Sequence, residues 1–176
     1  VNRGGHSSTP RPDNAIYALA SALTAIERHR FPAMINDATR ASYEILAKGD
    51  SGQYGELVRR FLADPQDRET ADLLETMDPG STRTRCVATM LSGGHAPNAL
   101  PQKAEANVNC RIFPGVKVED VRQQLQTLAG PDVTVTAVEG SQTPETAPTA
   151  IRQDILDAYK AAVATRFKAA PVVPYQ

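Results

Sequence analysis

Two side chains thirteen residues apart in this 176-residue chain have the means to hold an anion between them. Asn98 opens the loop Asn98-Ala99-Leu100-Pro101, and Arg111 stands near the end of the strand-like run that follows it, both on polar surface. A planar guanidinium suits a carboxylate, and a carboxamide can fix its other side. Each also has a plainer reading. Asn98 before Leu-Pro can simply serve the turn, and Arg111 can be a solvated sheet-face residue paired with Glu105, worth little energetically. His6, after Gly4-Gly5, reads on pattern alone as a turn histidine. His95 shares the loop of Asn98 and takes a structural reading. His29, between Arg28 and Arg30, reads as a solvated helix terminus that favours cations. Arg83 and Arg85 read as a charged strand face.

The elements that must position these residues follow from periodicity. Residues 104–113 alternate strictly, with Ala104, Ala106, Val108, Cys110 and Ile112 on one face and Glu105, Asn107, Asn109 and Arg111 on the other, the mark of a half-buried strand. Residues 83–91 alternate too, with Cys86, Ala88 and Met90 on one parity, and should pair antiparallel with 104–113 through the loop 93–103. Pro114-Gly115 ends that hairpin. Residues 1–3 look like the tail of a strand, and 133–139 is a β-branched strand. Asp13 is the expected N-cap of a helix running to about Arg28 on the stripe Ile16, Leu19, Leu23 and Ile26. Val118, Val121, Leu125 and Leu128 mark a second amphipathic helix, stopped by Gly130-Pro131.

Between them, about 34–80 is helical but broken, with helices expected over 38–48, 53–62 and 70–77. It reads as a helical insertion without a catalytic-looking constellation. After residue 140 come a Pro/Thr linker (141–148), a third amphipathic helix ending near Phe167, and an apolar extended tail, 170–174, expected to be exposed, swapped or disordered. The order β–α–insert–β–β–α–β predicts an α+β fold: a ferredoxin-like four-stranded antiparallel sheet with two helices on one face, plus the insertion and a C-terminal helix. The domain reading is 1–140 for that unit and 141–176 for linker, helix and return segment.

Composition bounds the partners. The formal net charge is −1, aromatics make up 5% and Trp is absent, so neither basic charge nor stacking surface favours nucleic acid. No apolar run approaches the ~20 residues needed to cross a bilayer. The chain starts without Met, within strand-like sequence, and no signal or transit segment opens it. It reads as an excised piece of a larger protein, which leaves its compartment open. Cys86 and Cys110 fall on the core-facing parity of neighbouring strands. A cross-strand disulfide is open to them, and two buried free thiols acting as small hydrophobes is the preferred reading.

Taken together, Gly4-Gly5-His6-Ser7-Ser8 with its following proline and Asn14-Ala15-Ile16 helix start, and Asn98-Ala99-Leu100-Pro101 with Arg111-Ile112-Phe113-Pro114-Gly115, resemble the two signatures of the dimerisation (lid) domain of M20-family metallopeptidases. The wording of both motifs and the long helical insert are most similar to the carboxypeptidase S branch and its N-acyl-amino-acid hydrolase relatives. The resemblance spans about residues 1–140, and 170–174 resembles the family's return into its catalytic domain.

The resemblance implies a homodimer formed through an edge strand, and metal-assisted hydrolysis of peptide or N-acyl-amino-acid amide bonds by two zinc ions held in a separate catalytic domain. It implies that His6 enters the partner's active site and stabilises the oxyanion, that Arg111 binds the substrate's terminal carboxylate, and that Asn98 helps fix the same end. This chain departs from the pattern at Ala99 and Leu100, where the family often reads Val or Ile with Ile, so loop packing is smaller here. Lys117 stands where an N-cap Thr is common. With only His6, His29 and His95, no His-x-Asp pair and no adjacent Glu-Glu, the chain lacks the metal-binding half, so no metal or cofactor site is expected here and the piece alone should be inactive. The competing reading is a stand-alone ferredoxin-like small-molecule-binding or regulatory module.

Overall fold

A computed structural model describes residues 2–138, 145–167 and 170–174. Six helices and one antiparallel hairpin make an α+β chain: α1 (Ala15–Arg28), α2 (Asp37–Gly49), α3 (Gln53–Ala63), α4 (Arg68–Met77), β1 (Arg85–Gly93), β2 (Ala104–Arg111), α5 (Val118–Ala129) and α6 (Gln153–Ala164). The chain divides into two units, each with its own core.

The first unit comprises residues 1–31, 85–112 and 116–145. Helix α1 buries the stripe Leu19, Ala22 and Ile26. Ile26 joins Val121 and Leu125 of α5, and Cys86, Val108 and Cys110 of the hairpin pack against that cluster. The N-cap is Asn14 rather than Asp13. Its side chain accepts from the amides of Ile16 and Tyr17 at 2.9 and 3.3 Å, whereas Asp13 is engaged by the Arg11 guanidinium at 2.9 Å, which holds its carboxyl below the usual range. Lys117 does occupy the N-cap of α5 without a capping bond. Glu119 and Asp120 in the first turn supply the negative charge that the helix N-terminus favours, and Arg122 and Gln123 draw the Glu119 carboxyl down to about 2.

The hairpin register carries one surprise. Cys86 faces Cys110 and Ala88 faces Val108, but the next pair is Met90 with Asn107, so Thr89 is an extra residue on β1. A bulge inverts the parity of everything beyond it. Met90 therefore joins the Val87 face instead of the Cys86 and Ala88 face, and Leu91 and Gly93 move to the latter. At Gly93 a Cβ would lie 3.0 Å from the Ala104 Cβ and 3.3 Å from Ile16 Cγ1, so glycine permits the close approach of α1 there. Cys86 and Cys110 form a disulfide, contrary to the free-thiol expectation. Directly opposed residues of antiparallel strands stand close enough for it, and each cysteine is only half-buried.

Two strands, not four, form the sheet among the described residues. The opening residues run beside the 98–102 loop: Asn2 donates to Gln102 and Leu100 donates to Gly5, at 2.9 and 2.8 Å, with a lone bridge between His6 and Ala99. Val1 lies outside the described residues. Across 133–138 the backbone is held by α5 side chains rather than a ladder. Gln126 accepts from the Val135 amide at 2.9 Å and donates to the Val133 carbonyl at 2.8 Å, and Arg122 donates to the Val135 carbonyl at 3.1 Å. Residue 139 and linker positions 141–144 also lie outside the described residues.

The second unit comprises 32–84, 113–115 and 146–176, and contains the expected insertion with helix ends within about two residues of those read from periodicity. Tyr43, Leu57, Val58, Phe61, Ala71 and Leu74 form its core. The Asp78 carboxylate accepts from the hydroxyls of Tyr43 (2.8 Å), Tyr54 (3.2 Å) and Ser81 (2.7 Å). Burial first, and then Asp78, push the Tyr43 hydroxyl far above its ordinary range. Arg83 does not lie on a strand face. It is 5% exposed and ion-paired with Asp72 at 2.7 Å, so the run from Thr82 to Thr84 belongs to this unit and β1 starts only at Arg85. Helix α6 buries none of its residues, and Val172, Val173 and Pro174 are half-buried rather than exposed.

Candidate functional site

His6 and Asn98, 92 residues apart in sequence, meet. The Ser7 amide donates to the Asn98 carbonyl at 2.9 Å, the Leu100 amide donates to Gly5, and Thr9 closes a turn onto the His6 carbonyl at 3.0 Å. This pairing explains the two glycines before the histidine. A Cβ at Gly5 would stand 3.1 Å from Leu100 Cδ1, and one at Gly4 3.1 Å from the Gln102 side chain, so either would require those side-chain ends to give by a few tenths of an ångström. Leu100, at 9% exposure, is the apolar anchor under the turn.

On this frame the imidazole is exposed and held from both sides. His6 Nδ1 accepts the Ser8 amide at 3.1 Å and lies 2.8 Å from Ser8 Oγ. His6 Nε2 lies 3.4 Å from the Asn98 side-chain amide. Ser8 is a residue that sequence reasoning left without a role. The available signal was a serine two positions after a histidine in a glycine-rich turn, where side chains and backbone commonly bond locally.

Arg111 is not part of that constellation. It is the last residue of β2, and at ~3.3 Å per residue the strand carries it about 23 Å from Ala104, where the 98–102 loop enters. Its side chain is exposed, and the residue is paired with Arg85 across the ladder, where like charges disfavour each other. Glu105 is not its partner, since that carboxylate pairs with Lys103 at 2.6 Å. His95 is exposed on the same loop as Asn98. His29 is the C-cap of α1, stacked edge-on against Phe31 at 4.7 Å, with Nε2 buried and without a hydrogen-bond partner. Burial and then Arg30 lower its pKa, and with Nε2 buried the ring is not the solvated helix end expected from sequence.

Among the described residues no group of three or more His, Cys, Asp or Glu side chains is placed to hold a metal ion, and no helix is long and apolar enough to cross a membrane. What remains is an exposed imidazole with a carboxamide beside it, and the separate exposed guanidinium of Arg111. These groups can donate hydrogen bonds to oxygen and bind carboxylate.

The family model of the peptidase dimerisation domain matches residues 1–136. This chain is an M20 peptidase dimerisation domain. Among curated proteins it is 28% identical to the probable carboxypeptidase S-like 2 of Dictyostelium discoideum over 130 residues, covering 73% of this chain and 25% of that protein. It is 29% identical over 130 residues to the N-fatty-acyl-amino acid synthase/hydrolase PM20D1.1 of Danio rerio, covering 70% of this chain and 24% of the relative. The mouse N-fatty-acyl-amino acid synthase/hydrolase PM20D1 is 26% identical over 132 residues, covering 73% and 26%. The dimerisation domain thus spans about a quarter of the length of these relatives. No solved structure matches it.

Proposed function

We propose that this domain is the dimerisation and substrate-capping lid of a dizinc amidohydrolase that cleaves peptide or N-acyl-amino-acid amide bonds. The observation that carries the reading is the His6–Asn98 pair, fixed on an exposed loop by backbone bonds, at the opposite end of the hairpin from Arg111. Two zinc ions in a separate catalytic domain would activate the water and polarise the carbonyl. The lid residues act on what remains: His6 donates to the oxyanion, Asn98 helps fix the carboxylate end, and Arg111 binds that carboxylate.

The separation of Arg111 from His6 supports a two-fold dimer. One small substrate cannot reach both within one chain. β1 is exposed along nearly its whole length, and Val87, Met90 and Leu91 are each more than half exposed, so its edge is a template for a second copy. Antiparallel pairing of β1 with its copy sets the Gly93 end of one hairpin beside the Arg85 end of the other. His6 and Asn98 of one protomer then approach Arg111 of the partner subunit, and each site is composite.

In this reading 1–3 and 133–139 are the remaining strands of a four-stranded ferredoxin-like sheet in the full-length protein. Residues 1–140 are the lid, and 141–176, with its unburied α6, lead back to the catalytic domain. The test is His6→Ala in the full-length enzyme. Loss of one oxyanion donor should lower kcat by roughly 10²–10³, with zinc content and dimer mass unchanged. Activity within about twofold of the parent would reject the oxyanion role.

A further inference from the structure

We propose that neutral His6 carries its ring proton on Nε2, and that Ser8 is the positioning residue that places it there. The argument begins at the other nitrogen. A backbone N–H can only donate, and the Ser8 amide points at His6 Nδ1 from 3.1 Å. Nδ1 must therefore present its lone pair. A proton on Nδ1 would set two N–H groups against each other at that distance. The Ser8 hydroxyl, 2.8 Å from the same nitrogen, can donate or accept and does not decide the matter. The local turn, closed from the Thr9 amide to the His6 carbonyl at 3.0 Å, keeps the Ser8 amide in place, so the tautomer is set by four consecutive residues of backbone.

Asn98 then has a defined orientation. In the structure its Nδ2 lies 3.4 Å from Nε2, and the nitrogen and oxygen of a carboxamide exchange places on a half-turn, so the proposal turns this amide over. With a proton on Nε2, the amide oxygen belongs on the histidine side and accepts it. Asn98 holds the imidazole N–H until a better acceptor arrives, and its own NH₂ is left for a ligand. This deepens, and rests on, the reading of His6 as an oxyanion donor. A donor at Nε2 is what that role requires, because it is the ring nitrogen that the Ser8 backbone does not occupy.

The test reads the tautomer directly and needs neither substrate nor zinc. Ring ¹⁵N spectra of the uniformly labelled chain are recorded at alkaline pH, with exposed His95 as the internal reference. His6 Nδ1 should show a pyridine-type shift and Nε2 a pyrrole-type shift, split more widely than the two nitrogens of His95. A through-bond ¹⁵N–¹⁵N coupling should connect the Ser8 amide to Nδ1. Ser8→Ala keeps the backbone donor and should keep the split. A pyrrole-type Nδ1, a split no wider than that of His95, or collapse of the split in Ser8→Ala would each overturn the proposal. Failure of the oxyanion reading is seen elsewhere: His6→Ala would leave kcat of the full-length enzyme within about twofold while the ring spectrum of the parent stayed as described.

Discussion

The Cys86–Cys110 bridge offers a quantitative test of how this domain is built. It closes a loop with a sequence separation of 24 residues, spanning β1, the Asn98 loop and β2. In the chain-entropy account, closing a loop of that length removes about 12 cal/mol/K from the unfolded chain, or about 3.5 kcal/mol near room temperature. Reduction, or Cys86→Ser with Cys110→Ser, should therefore destabilise the unit holding the hairpin, α1 and α5. At roughly 4–8 °C per kcal/mol for a unit of under about 100 residues, its melting transition should fall by at least ~10 °C. The other core, around Tyr43 and Phe61, contains neither cysteine, so its transition should be unaffected. Hydrogen exchange with and without reductant assigns the loss: amides of 85–111 should lose protection and those of 53–77 should keep it. Thiol titration of the denatured, unreduced protein should find no free cysteine. Two titratable thiols, or an equal loss of protection in 53–77, would refute the reasoning.

Two further outcomes follow from the site and its surroundings. Arg111→Lys in the full-length enzyme should raise KM for substrates with a free terminal carboxylate, because the bidentate fork is lost, and should leave carboxylate-free amides nearly unchanged; steady-state kinetics on matched substrates would expose an equal effect on both as a contradiction. His29 predicts a pH dependence whose sign is set by its lowered pKa: below its ordinary value of 6.5 the unfolded chain binds a proton that the folded chain resists, so this contribution to stability is present above pH 6.5 and is lost on acidification until the folded form also protonates. Melting temperatures measured from pH 8 to 5 should fall less steeply for His29→Gln than for the parent, and identical slopes would contradict the assignment.

Much of the local structure was legible in the sequence because it rests on period and punctuation. The stripe Ile16, Leu19, Leu23 and Ile26, the Val121 and Leu125 pair, and the proline and glycine stops place α1 and α5 closely, although α1 buries Ala22 with Leu19 and Ile26 rather than Ile16 or Leu23. What escaped depends on tertiary context. Nothing in 85–93 announces the extra residue at Thr89, and a single bulge reassigns Met90 and Leu91 to opposite faces. Arg83 alternates correctly for a strand, yet its ion pair with Asp72 draws it into the helical unit. The β-branched run at 133–138 has strand propensity, but Gln126 and Arg122 satisfy its backbone in place of a neighbouring strand. At the site, the motifs named His6, Asn98 and Arg111. The 3.4 Å meeting of His6 with Asn98, and the separation of Arg111 from both, are properties of the folded hairpin alone.

The central claim is that this domain builds composite sites by pairing with a copy of itself. Light scattering of the isolated chain across a concentration series tests it most directly. The account predicts a species of twice the chain mass that dissociates on dilution and is weakened by a charge placed at Leu91 on the β1 edge. A single-chain mass at every concentration would contradict it.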